Sequence, residues 1–66
     1  MQPYQERVVA ERDELTDKIV KLLAFIHTPA RWVNLDSAER ARLERQLVCM
    51  RAYRAILDER IAEFKD

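Results

Sequence analysis

The chain contains no glycine, and that absence excludes a wide range of chemistries. Phosphate-cradling loops, dinucleotide fingerprints, nucleophile elbows and tight type I′ hairpins each need positive φ or close backbone approach, which glycine supplies. A single cysteine, Cys49, leaves no intrachain disulfide, and a single histidine, His27, leaves no multi-histidine metal site. The longest apolar run, Leu22 to Ile26, is far shorter than the roughly 20 residues that span a bilayer, and the N-terminus has no apolar signal core. A soluble, cytoplasmic protein without a membrane partner is expected. With 12 Lys+Arg against 12 Asp+Glu, the charge lacks the excess of a DNA or RNA binder. At 66 residues the chain is one domain that buries only about 60% of its unfolded surface, so a lone monomer is marginal. With no disulfide or metal to staple it, self-association is the remaining source of stability.

What is present is helical. Val8, Leu15, Ile19, Leu22 and Ile26 recur at steps that keep one helical face together, which predicts a first helix over about residues 5–27. Pro3 suits its start, Glu6, Glu11, Asp13 and Glu14 favour the positive half of its dipole, and Thr28-Pro29 ends it. Residues 28–35 form the connection, and Asp36 with Glu39 reads as a capping-box variant opening a second helix over about residues 36–64. Leu43, Leu47, Met50, Leu57, Ile61 and Phe64 give that helix a heptad-like stripe. The fold class is therefore all-α: an antiparallel two-helix hairpin, its helices about 34 and 42 Å long. A second apolar face at Val48, Ala52, Ala55, Ile56 and Ala62 wants a partner, and the small alanines allow another copy of the chain to pack closely, so the hairpin is expected to oligomerise through helix packing.

Charge is unevenly placed. Residues 40–54 carry Arg40, Arg42, Arg45, Arg51 and Arg54 against Glu44 alone, a local net of +4. Residues 55–66 carry Arg60 and Lys65 against Asp58, Glu59, Glu63 and Asp66, a net of −2. Guanidinium forks suit bidentate contact with phosphate or carboxylate.

No catalytic set emerges. Cys49 lies mid-helix between Val48 and Met50 and reads as core packing, and His27 reads as a cation near a helix C-terminus. Lys18 and Lys21 share a face at i, i+3; either each pairs with the acid four residues before it, Glu14 and Asp17, or the two ammonium groups together hold a phosphate diester. Tyr4 at the helix start is either a hydrophobic anchor or a base-stacking ring beside free N–H groups. Gln46, Tyr53, Arg54 and Arg60 border the second stripe and must find polar partners, between subunits or, for Arg60, with phosphate at an assembly axis. Trp32 and Phe64 read as caps on the two ends of the core.

The stretches YQERVVAERDELTDKIVKLLAFI and WVNLDSAERARLERQLVCMRAYRAILDERIAEF, joined by a short Pro-containing connection, resemble the phage anti-CBASS nucleotide sponges and the related hairpin domain of the anti-Thoeris sponges. The resemblance covers nearly the whole chain, with Gln5, Arg7-Val8, Lys18, Lys21-Leu22, Phe25-Ile26, Leu35, Gln46, Met50, Tyr53, Leu57, Arg60-Ile61 and Phe64 in step. It implies a non-enzymatic, cofactor-free protein that sequesters cyclic oligonucleotide signals of bacterial immunity in the cytoplasm of the infected host. It also implies dimers assembled into a hexamer. By the same resemblance Tyr4 is the base-stacking aromatic, Lys18 or Lys21 the phosphate-binding lysine and Arg60 the arginine of the C-terminal helix, with Arg7 and Thr28 completing the ligand-binding set. The alternative is a small helical adaptor that blocks a host protein through its Arg40–Arg54 surface.

Overall fold

A computed structural model describes residues 1–65. Three helices follow in order, α1 over Pro3–Ile26, α2 over Pro29–Trp32 and α3 over Ser37–Ala62, and no strand occurs among the described residues. Pro3 occupies the first turn of α1, where its missing N–H is no loss. At the other end the Thr28 N–H reaches back to the Phe25 carbonyl at 3.1 Å, a tightened last turn that satisfies one of the orphaned carbonyls.

The connection expected over 28–35 contains a helical turn, α2, and the two-helix reading is corrected accordingly. Thr28 is extended (φ −105°, ψ 95°), as a residue before proline must be, and Pro29 then presents the helical φ that starts a new turn. The Asn34 amide donates to the Ala30 carbonyl at 2.9 Å and helps close that turn. Asp36 caps α3, its Oδ1 accepting the Glu39 N–H at 2.7 Å. The capping box is only half made, because the Glu39 carboxylate accepts from Arg42 Nε at 2.8 Å instead.

The two long helices run antiparallel in a fixed register. Gln5 reaches Lys65 and Arg12 reaches Asp58, so seven residues forward on α1 correspond to seven back on α3. Val8, Leu15 and Ile19 meet Leu47 and Leu57 along this seam, and Leu22, Leu23, Ile26, Met50, Ile61 and Phe64 pack around them. The result is a rod of 49 × 15 × 13 Å with a thin core.

One whole side of α3 stays open: Val48, Tyr53 and Ile56 are 67%, 43% and 55% exposed. Cys49 is exposed with them, against the core position read from its apolar neighbours. The reason is angular. At about 100° per residue, Cys49 lies roughly 200° around α3 from the buried Leu47, so it points away from the seam.

Candidate functional site

The open end of the hairpin carries a solvent-facing groove of about 550 Å³ lined by Tyr4, Ile56, Glu59, Arg60, Glu63 and Phe64. The last turns of α3 and the two residues beyond it build one wall. Ile56, Glu59 and Arg60 share one side of α3 at helical spacing, and Glu63 and Phe64, just past its end, continue that side because the Glu63 and Phe64 N–H groups reach back to the Arg60 and Ile61 carbonyls. Tyr4, in the first turn of α1, forms the other wall. Its ring meets Phe64 edge-on, centroids 5.8 Å apart and planes at 75°, while remaining 51% exposed.

One buried amide holds this end together. Gln5 is 1% exposed and lies on the α1 stripe, three residues before Val8. Its Oε1 accepts the Gln2 N–H at 2.7 Å, and its Nε2 donates to the Lys65 carbonyl at 3.3 Å. Arg12 occupies the next polar position of the same stripe and bridges to Asp58 at 2.8 Å and to Asp13 at 2.7 Å. Hydrogen bonds first to Asp58 and then to Asp13 raise its affinity for the proton above that of a free guanidinium.

Of the residues named from the sequence, the groove brings together Tyr4 and Arg60. Arg7 is exposed one turn further along α1 and does not line it. Lys18 and Lys21 are exposed together on α1, about 21 and 26 Å along the helix from Tyr4. Among the described residues neither lysine forms an ion pair, so the expected bridges to Glu14 and Asp17 are not made. Thr28 stands at the opposite end of the rod, its Oγ1 donating to the Ala24 carbonyl at 2.7 Å. Trp32 packs edge-on to Phe25 at that end, with centroids 6.5 Å apart.

Sequence reasoning passed over Gln5, Glu59 and Glu63 as functional residues and took Phe64 for a core cap alone. The signal for Gln5 was available: a polar residue in phase with Val8, Leu15 and Ile19 must face the seam. Phe64 does pack on the core, and it also walls the groove.

Chemically, the groove offers a half-exposed aromatic face for a planar ring, one guanidinium for an anionic oxygen, and two carboxylates that accept hydrogen bonds from donor edges. Glu59 and Glu63 outnumber Arg60, so the groove of one chain suits a base better than a phosphate. The described residues hold no cluster of three or more His, Cys, Asp or Glu able to bind a metal ion, and no helix long and apolar enough to cross a membrane.

Comparison with known proteins finds a phage relative of the chain. It is 37% identical over 65 residues to an uncharacterized 7.5 kDa protein from the denB-rIIB intergenic region of Enterobacteria phage T4, covering 98% of this chain and 100% of that one. No solved structure matches the chain significantly. The phage-family resemblance read from the sequence is borne out by a family profile described as Sequestin, which matches residues 2–63: the chain belongs to the Sequestin family.

Proposed function

We propose that this chain is a non-enzymatic phage protein that sequesters cyclic di- and trinucleotide second messengers of bacterial antiphage signalling in the cytoplasm of the infected cell. The groove is the observation that carries the reading: it joins the exposed Tyr4 ring to Phe64 and Arg60. Sequestration needs only a rigid, complementary surface, and a base stacked in the groove with its phosphates held by cations from a second copy supplies one. Membership of the Sequestin family agrees with such a role.

In this reading the site is completed by a second copy. Lys18 and Lys21 carry two ammonium groups without an ion pair among the described residues and far from the groove of their own chain, and the bare Val48, Tyr53 and Ile56 face of α3 is where another protomer packs. A cyclic dinucleotide has two bases and two phosphates, so a twofold dimer offers each half the same Tyr4, Arg7 and lysine set. Dimers then assemble into a hexamer, with Arg60 and Thr28 available to further phosphates.

A thermal-shift panel of cyclic di- and trinucleotides, with linear dinucleotides and ATP as controls, tests the reading. Ligand at about 100 times its Kd stabilises by roughly 2.7 kcal/mol per site, which for a domain this small is about 10 °C or more. The expected result is a large shift confined to cyclic species, with the ligand recovered intact. A flat panel on folded protein overturns the reading. It would favour instead an adaptor using the arginines of α3, of which only Arg42 is ion-paired within the chain among the described residues, and capture of one stoichiometric host protein would support that second reading.

A further inference from the structure

We infer that Gln5 is the positioning residue of the groove: its single buried amide clasps the two backbone segments that carry the aromatic walls, and so sets the distance between Tyr4 and Phe64. The geometry is specific. Tyr4 lies between Gln2, whose N–H is held at 2.7 Å, and Gln5 itself. Phe64 immediately precedes Lys65, whose carbonyl is held at 3.3 Å. Phe64 and Lys65 lie beyond the end of α3 at Ala62, so helical hydrogen bonding does not carry the chain this far. Apart from packing, among the described residues the Phe64 N–H to the Ile61 carbonyl and the Gln5 clasp are what hold this segment. An amide suits the task where a carboxylate or an aliphatic chain does not, because it must accept from the N-terminal segment and donate to the C-terminal segment at once. At 1% exposure the Gln5 amide must find its partners within the protein, and these two segments supply them.

The clasp prepares the groove before any ligand arrives. A pocket whose walls are already set loses less freedom on binding, so the consequence for affinity rests on the sequestration reading, whereas the consequence for the aromatic pair does not.

The test is Gln5→Leu, which keeps the volume in the seam and removes both bonds. The aromatic proton shifts of the folded variant report on the Tyr4–Phe64 contact, and those of Phe25 and Trp32 at the other end serve as an internal reference. The expected result is that Tyr4 and Phe64 lose their mutual ring-current shifts while Phe25 and Trp32 keep theirs, and that affinity for cyclic GMP–AMP falls roughly tenfold. Unchanged Tyr4 and Phe64 shifts overturn the inference. So does an equal change at both ends, which would mean general loosening. Should Gln5→Leu fail to fold, Gln2→Pro decides: Gln2 already has φ −69°, which proline adopts, so this variant deletes one donor to Gln5 and leaves the core intact. It is expected to shift the same pair less far, and no shift would overturn the inference. If the wild-type protein binds no cyclic nucleotide, the sequestration reading falls and the ring shifts alone still judge Gln5.

Discussion

Tyr4 and Leu57 sit at opposite extremes of exposure, and their alanine variants should fail in opposite ways. Half of the Tyr4 ring is in solvent, so Tyr4→Ala is expected to leave the melting temperature nearly unchanged. In the sequestration reading it removes a stacking surface worth about 1–3 kcal/mol, which isothermal titration calorimetry should register as roughly a 5- to 150-fold weaker Kd for a cyclic dinucleotide. Leu57 is 1% exposed among a handful of fully buried side chains. Leu57→Ala leaves a cavity costing about 2–5 kcal/mol, a large share of what so small a domain has, and circular dichroism at 25 °C should find much of the helix lost. Neighbouring polar positions on the α1 stripe divide similarly. Gln5 is buried and doubly bonded, whereas Arg12 makes its bridges at the solvent boundary and contributes little to stability.

Among the elements, α3 depends on its cap and α1 on its exposed face. Asp36 satisfies the Glu39 N–H at the start of α3, so Asp36→Ala should cost about 1 kcal/mol and lower the melting temperature by roughly 4–8 °C without altering the seam. Lys18 and Lys21 make no ion pair among the described residues, and alanine is the better helix former. The double variant Lys18→Ala, Lys21→Ala should therefore melt no lower than the wild type while losing cyclic dinucleotide binding. Retained affinity in that variant would remove the lysines from the site. The short α2 turn matters differently: by seating Trp32 against Phe25 it closes the end of the rod that faces away from the groove.

On the scale of the whole molecule, a rod 49 Å long and about 15 Å across has too little interior for its apolar content, and α3 shows the surplus along its outer side. Val48, the most exposed large hydrophobic of that helix, is the position at which to test assembly. Sedimentation velocity of the wild type should give a multiple of the 7.9 kDa protomer, and Val48→Glu should reduce it toward a single protomer with a lower melting temperature. A monomeric wild type that still binds cyclic nucleotides would place the whole site in one chain and leave the lysines outside it.

Much of the hairpin was legible because its causes are local. Absence of glycine, a stripe of period near 3.6, Pro3 at one boundary and Thr28-Pro29 at another all act within a turn or two, and the helices follow them. Asp36 and Glu39 marked the start of α3 for the same reason, although the second half of their box went to Arg42. The one turn of α2 escaped notice because four residues carry no periodicity to read. Tyr4 and Arg60 were recognisable singly, but their meeting depends on which turn of α1 faces which turn of α3, a register fixed by the summed packing of residues distant in sequence. The same register brings Lys65 to Gln5 and Asp58 to Arg12. Sequence determined the helices and their buried faces, since those follow from neighbours a turn away. Only the tertiary structure decided which side chains share the groove, because that depends on the azimuth and offset of two helices at once.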